Sequence, residues 1–247
     1  MPTLFAVEAL LAVVAAAVAS AFTLDLFGAW RRRRRFHAEI WMVAFGAYAL
    51  ASWALAVGLI QGWTSLTFRL FYFLGAIANI PLLAVGSIAL ASERVGRAAA
   101  NVVFLWLVFG FFATFFSPFV EGLPSEGIPE GSEVFAFTFM IEALTLPGPR
   151  FFAAVSGAVG TIVVVGLALV TVIRVRRTNR DLARGNILIV FGILVPAFGG
   201  SLTALGDSGG LAVSLAIGIS LLWLGYRTAS GARSGDRKRP ESAKAQS

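Results

Sequence analysis

Long apolar stretches alternate with short polar segments along the whole 247-residue chain. Most of these stretches approach or exceed the length of about 20 residues that an α-helix needs to cross a bilayer. The pattern therefore predicts seven membrane-spanning helices joined by loops that carry nearly all of the charge. The predicted spans are residues 4–29, 39–60, 66–91, 98–120, 151–173, 186–205 and 211–226.

Two segments break this pattern. Residues 121–149 mix glutamate with proline and glycine, which predicts an outer loop between the fourth and fifth spans. Within that loop, residues 134–146 are apolar but number only 13, so they are too short to span and are expected to be interfacial, re-entrant or packed on the outer face. Residues 229–247 are basic and rich in serine, which predicts a disordered cytoplasmic tail after a transmembrane domain over residues 1–228.

Charge predicts the orientation of the bundle. Five consecutive arginines follow the first span: Arg31, Arg32, Arg33, Arg34 and Arg35. Each arginine at the bilayer centre costs about 2.5–3.5 kcal/mol on insertion scales, so this run must lie at a membrane surface. With the N-terminus outside, all of the 20 lysines and arginines except Arg69 and Arg150 fall on the cytoplasmic side, as the positive-inside rule requires. The expected fold is an all-α bundle of seven transmembrane helices with its N-terminus outside and its C-terminus cytoplasmic.

Composition narrows the class of protein. The chain is 58% hydrophobic and 13% charged, with a mean hydropathy of +0.84, far more apolar than a typical soluble domain. A net charge of +7 would suggest nucleic acid for a soluble protein, but these charges lie at predicted helix ends. Anionic lipid headgroups are therefore the expected partner of the arginine run, and no nucleic acid is expected. The preference for alanine, glycine, valine and arginine is typical of GC-rich bacterial coding, so we expect a multi-pass protein of a bacterial cytoplasmic membrane.

Catalytic chemistry finds little support in the sequence. Absence of cysteine removes disulfides, thiolate nucleophiles and cysteine-based metal sites. The stretch Gly206–Gly210 resembles the nucleophile motif of chymotrypsin-like proteases, and its Gly-x-Ser-Gly core is similar to that of rhomboid proteases. Either mechanism needs a base, and the single histidine, His37, is predicted on the opposite side of a membrane core of about 30 Å. We therefore expect a tight turn there and predict no enzyme activity, catalytic residue, metal or cofactor.

Two membrane-protein families match the helix count but not the chemistry. Microbial rhodopsins bind retinal through a lysine in their last helix, and the seventh predicted span has none. Sugar-efflux SWEET transporters repeat three helices around a linker helix, and residues 39–46 and 186–192 are faintly alike. The Pro-Gln type motifs of that family are missing, so chance similarity is the better interpretation.

Polar residues and prolines inside predicted spans are the main pointers to function. Proline frees a carbonyl from the helical hydrogen-bond ladder, and that carbonyl must find another partner. One hypothesis is a polar cavity between the third and sixth spans, and the simpler alternative is a kinked helix whose asparagine bonds a neighbouring backbone. The residues of this candidate intramembrane site are Asn79, Pro81, Ser87, Pro196 and Thr203.

A second candidate group is charged and is expected near the outer surface. These side chains either converge around an external ligand or hold helix ends together, with Arg69 expected to pair with Glu8 or Asp207. The members of this outer charged cluster are Glu8, Arg69, Glu142, Arg150 and Asp207.

Several stretches together resemble a family of uncharacterised seven-helix integral membrane proteins of high-GC Gram-positive bacteria. They are residues 68–76, 79–86, 131–135 and 183–189. The resemblance covers most of the chain and implies no known activity. From the residues themselves we expect small-molecule transport of a permease-like kind. The alternative is a sensor or accessory scaffold that binds a membrane protein partner through its outer loop or its basic cytoplasmic loops. The oligomeric state stays open.

Overall fold

The part of the chain that the structure describes forms seven helices long and apolar enough to cross a membrane, which confirms the predicted number of spans in a multi-pass membrane protein. The computed structural model describes residues 2–120, 122–124, 127–129, 131–141, 143–203 and 209–244. Within these residues the helices are α1 Pro2–Arg33, α2 Phe36–Gln61, α3 Ser65–Ala91, α4 Glu93–Phe116, α5 Pro149–Val175, α6 Arg180–Thr203 and α7 Gly209–Lys244.

Several helix ends differ from the predicted spans because charged residues and prolines, rather than hydropathy, decide where a helix stops. α1 continues through Arg33, so three arginines of the run are helical, and only Arg34 and Arg35 link it to α2. Arginine is a good helix former, and a positive charge in the last turn complements the helix dipole. α4 ends at Phe116, before the predicted residue 120, because Pro118 follows and disfavours helical backbone just ahead of it.

The last helix extends beyond its predicted span. α7 runs to Lys244, across the stretch predicted to be a disordered tail from residue 229. Ala229 is buried, and a Cβ added to Gly185 would lie 2.7 Å from its backbone nitrogen. Packing against α6 therefore continues past the apolar window.

Six of the helices form a closed ring in the order α1, α2, α3, α5, α6 and α7, and α4 packs outside the ring mainly against α3. Short links reverse the chain direction between the other successive helices. After the longer connection, α5 runs antiparallel to α4, since Trp106 bonds Ser156 and Gly110 lies beside Phe152. The bundle therefore has two distinct ends. We call the end with Arg31–Arg35 the arginine end and the end with Ser117 and Gly148 the loop end.

The hydrophobic core fills the half of the ring nearer the arginine end. Its cluster of buried residues joins helices from both sides of the ring and includes Phe22, Phe45, Leu83, Ile193 and Leu222. Small residues bring α6 and α7 close together: a Cβ on Gly192 would lie 3.0 Å from the Gly218 carbonyl. Ser214 and Gly218 of α7 thus pack against α6 within the chain.

The middle of α3 is wider than an α-helix. Its first part, Ser65–Tyr72, is α-helical, Phe73–Ala78 form a π-helical turn, and Asn79–Ala91 return to α-helix. The backbone N–H of Asn79 donates to the Leu74 carbonyl, five residues earlier. Pro81 has no backbone N–H and cannot donate to the helical hydrogen-bond ladder. The π turn directly before it accommodates this break in the helix.

The segment between α4 and α5 adds strands to the predicted all-α fold. A single helical turn, Gly131–Val134, precedes an antiparallel hairpin of β1 Thr138–Ile141 and β2 Leu144–Pro147. Phe139 pairs with Leu146, and Met140 pairs with Thr145. Aromatic and β-branched residues favour strands, and a run of 13 residues is too short to span, so the apolar stretch forms a hairpin outside the bundle.

Candidate functional site

A cavity of about 740 Å³ lies inside the helix ring, in the half nearer the loop end. Its volume is within the range of about 300–1,000 Å³ that small-molecule pockets occupy. Its walls come from five helices and from the segment between α4 and α5. The principal lining residues are Tyr48, Ser52, Tyr72, Gly75, Asn79, Ile80, Arg150, Gly157, Thr161, Pro196, Ala197 and Leu215.

The hydrophobic core closes the cavity toward the arginine end. Leu83, Ile193 and Leu222 belong both to the cavity wall and to the packed core. Beside them the Tyr48 hydroxyl donates to the Leu215 carbonyl at 2.8 Å, which joins α2 to α7 at this depth. The cavity therefore has an apolar floor.

The loop end of the cavity is bounded by a stretch that we call the cover segment, residues 127–129 and 131–137. Pro129, Gly131 and Phe137 of this segment line the cavity. Trp63 Nε1 donates to the Gly127 carbonyl at 2.8 Å, and the buried Phe135 ring lies 5.0 Å from the Tyr72 ring centre. Hydrogen bonding and aromatic packing thus hold the cover segment on the ends of α2 and α3.

Arg69 fixes the same region from α3. Its guanidinium donates to the Thr114 carbonyl and, at 3.0 Å, to the Ser117 carbonyl, both at the C-terminal end of α4. It also lies 4.3 Å from the centre of the Phe119 ring and 5.7 Å from that of Phe135. A cation that binds free carbonyls at a helix end stabilises that end, so Arg69 joins α3, α4 and the cover segment.

Asn79 and Ser52 are the buried polar residues among those that line the cavity in the described part of the chain, and Asn79 is the one with an unpaired atom. Its side chain is only 4% exposed, and its Oδ1 has no hydrogen-bond partner among the residues that the structure describes. The π turn directly before it sets its position on α3. Leaving a buried acceptor unpaired costs about 1–3 kcal/mol, so such groups in native proteins need an explanation. A ligand with a hydrogen-bond donor would supply the missing partner.

Arg150 brings the cationic group of the cavity. It is half-buried in the first turn of α5, immediately after Pro149, whose fixed φ suits the start of a helix. Among the described residues the ion pairs are Arg97 with Glu93 and Arg184 with Asp181, so no described carboxylate neutralises Arg150. The cavity wall in the described part of the chain also contains no aspartate or glutamate.

The other predicted site residues have different surroundings. Pro81 is buried in α3 but does not line the cavity, and Ser87 donates to the Leu83 carbonyl of its own helix. Glu8 is 3% exposed within α1, and no ion pair joins it to Arg69. Glu142, Asp207 and the Thr203 side chain lie outside what the structure describes. The cavity thus combines Asn79 and Pro196 of one predicted group with Arg150 of the other.

The five arginines of the run are all exposed at the arginine end. Arg31 lies over the Phe27 ring at 5.7 Å, and Arg34 lies over Trp30 at 5.1 Å. Arg34 has a left-handed backbone, with φ of 45°, at the turn between α1 and α2. Aromatic rings at a helix end and cations beside them are typical of a membrane–water interface.

Sequence reasoning missed most of the cavity lining, and Tyr48 and Gly157 illustrate why. Tyr48 shapes the floor, and its hydroxyl in an otherwise apolar stretch of α2 was a signal that could have found it. Gly157 lines the wall with open space beside it, since an added Cβ would meet nothing within 4 Å. No local pattern distinguishes Gly157 from the many glycines that pack helices together.

Comparison with known proteins leaves the fold and the cavity as the evidence on function. No protein-family model matches the chain, and neither the curated proteins nor the solved structures contain a significant match to it. What the chain does must therefore be inferred from the residues that line the cavity.

Proposed function

We propose that this protein is a permease-like carrier of a bacterial cytoplasmic membrane, with its N-terminus outside, that binds a small molecule in the cavity and moves it across the bilayer. The observation that carries the proposal is the cavity wall itself, where the buried Asn79 oxygen has no partner among the described residues. Intramembrane polar groups are costly, so a chain retains them where they handle a substrate.

The irregular parts of two helices support transport rather than binding alone. The π turn of α3 and Pro196 of α6 both border the cavity, on the two helices that flank α5 in the ring. Interrupted helices at membrane depth are where transporters place substrate sites, because freed backbone groups face the substrate and the interruption permits movement. The apolar floor then corresponds to a state that is closed toward the arginine end.

Cysteine labelling tests the carrier directly, because the chain has no cysteine of its own. Gly157→Cys places a thiol in the cavity wall, and Gly166→Cys places one on the same helix, also in open space but away from the cavity. A carrier predicts that a membrane-impermeant maleimide labels Gly157→Cys from both sides of the membrane and Gly166→Cys from neither. Labelling of Gly157→Cys from the loop end alone would contradict transport.

The hairpin favours a second candidate, a sensor or accessory scaffold. Met140 is 67% exposed and Leu144 is 61% exposed, so apolar side chains project from the loop end. Exposed apolar surface of this kind is typical of contact with another protein or with lipid. Labelling from one side only, together with retained ligand binding, would favour this candidate over the carrier.

A further inference from the structure

We propose that the ligand of the cavity is an elongated amphiphile with one anionic head, an apolar chain and a hydrogen-bond donor at the far end from the head. This inference deepens the proposed function and rests on it. Arg150 would bind the anionic head, and the small and apolar residues of α3 and α5 would contact the apolar chain. The side-chain oxygen of Asn79 would accept a hydrogen bond from the donor at the far end.

The positive charge of Arg150 favours an anionic head group on the ligand. Arg150 is the charged residue of the described cavity wall, and no described carboxylate pairs with it. A guanidinium presents a planar set of N–H donors that matches a carboxylate or a phosphate. A cationic head would meet a like charge at Arg150, whereas an anionic head meets an opposite one.

The opposite end of the ligand is selected by Asn79. An unpaired amide oxygen accepts a hydrogen bond and discriminates strongly between ligands that bear a donor and analogues that lack one. The ligand atom beside it is therefore a hydroxyl or an amine-type N–H.

The distance between Arg150 and Asn79 sets the length of the ligand. A Cβ on Gly160 would lie 3.2 Å from the Ile80 carbonyl carbon, so the part of α3 beside Asn79 is level with Gly160. Gly160 follows Arg150 by ten residues, which is about 15 Å along the helix at 1.5 Å per residue. Ala153, Ala154 and Gly157 line the wall between these levels. A dodecyl chain is of comparable length and matches this apolar lining.

Equilibrium binding to the full chain in lipid nanodiscs tests the class with four matched probes. They are ω-hydroxydodecanoate, dodecanoate, dodecanediol and dodecylamine. We expect ω-hydroxydodecanoate to bind best, with about tenfold weaker binding of the probe that lacks the carboxylate and of the probe that lacks the hydroxyl. Equal affinity for dodecylamine and ω-hydroxydodecanoate would overturn the inference.

Variants assign each end of the ligand to its residue. Arg150→Gln should remove the preference for ω-hydroxydodecanoate over dodecanediol. Asn79→Leu should remove the preference for ω-hydroxydodecanoate over dodecanoate. Gly157→Leu fills the wall and should weaken all probes, whereas Gly166→Leu should change none. If no probe binds while Gly157→Cys is still labelled from both sides, the ligand class is wrong and the carrier stands. If labelling also fails, both fail.

Discussion

At the scale of single residues, Asn79 lowers the stability of the fold and contributes to the proposed ligand site. Its side-chain oxygen is buried without a partner among the described residues, which costs about 1–3 kcal/mol of folding free energy. Asn186 provides a contrast, since it is similarly buried but its Nδ2 donates to the Leu182 carbonyl at 2.9 Å. The two asparagines thus differ in their hydrogen bonds: Asn186 donates one within its own helix, whereas the Asn79 oxygen accepts none from the described residues.

This difference predicts opposite effects of the same substitution. Asn79→Leu should raise the thermal transition of the ligand-free protein in detergent, by an amount that corresponds to about 1 kcal/mol, because an unpaired polar group becomes apolar. Asn186→Leu should leave the transition unchanged or lower it, because a hydrogen bond is lost. Asn79→Leu should also weaken ω-hydroxydodecanoate binding. A lowered transition for Asn79→Leu would mean that its amide is satisfied in the native protein.

Sequence alone indicated part of this site. Asn79 and Pro196 were recognisable because a polar residue or a proline within an apolar helix is conspicuous wherever that helix packs. Arg150 was recognised as a charge near the loop end, but nothing local indicates that it borders the same cavity as Asn79. That juxtaposition depends on the order of helices in the ring, which hydropathy does not encode.

At the scale of elements, the cover segment depends on Arg69. This residue bonds the carbonyl groups at the end of α4 and lies against Phe119 and Phe135. Val120 and Val134 add a backbone hydrogen bond of 2.9 Å within the same region. Arg69 therefore links the position of the cover segment to the start of α3.

Loss of the Arg69 contacts should loosen the cover segment. Arg69→Met keeps a side chain of similar length but removes every guanidinium donor, so the loop end of the cavity should open more often. We expect a membrane-impermeant maleimide to label Gly157→Cys severalfold faster from the loop end in this background. Arg97→Met is the control, because its bond to Glu93 is exposed at the arginine end. An unchanged rate in the folded Arg69 variant would show that the cover segment does not limit access.

The elements themselves were largely predictable, with informative exceptions. All seven spans follow from apolar length alone, because a bilayer enforces helices of that length. The hairpin was not predicted, since a short apolar run outside the spans is compatible with helix or strand until its neighbours are known. The π turn was missed for a similar reason: Pro81 indicates a disturbed ladder but not how the helix repairs it.

At the scale of the whole molecule, charge is divided between the two ends. The arginine end holds Arg31–Arg35 and the links, with the helix ends that flank them, where Arg94, Arg97 and Arg174–Arg184 lie, whereas Arg69 and Arg150 lie toward the loop end. Basic residues remain on the cytoplasmic side during insertion. The proposed orientation therefore places the cavity and its cover segment toward the outside.

Two glycines in open space allow this orientation to be measured. Gly122→Cys lies at the loop end and Gly231→Cys at the arginine end, and an added Cβ meets nothing within 4 Å at either position. Membrane-impermeant maleimide applied to intact cells should label Gly122→Cys and spare Gly231→Cys until the membrane is permeabilised. The reverse pattern would place the cavity on the cytoplasmic side.

The same pair of thiols tests how the orientation is determined. Replacing Arg31, Arg33 and Arg35 by glutamine leaves Arg32 and Arg34 in the run and every basic residue of the other arginine-end links. Because each of those links favours the same side, we expect the labelling pattern to stay unchanged. Binding of the purified protein to vesicles with anionic lipid should nevertheless weaken, since each surface arginine contributes about 1 kcal/mol to that attraction. If the labelling pattern inverted, the run alone would determine the topology, and its excess of charge would need no lipid partner to explain it.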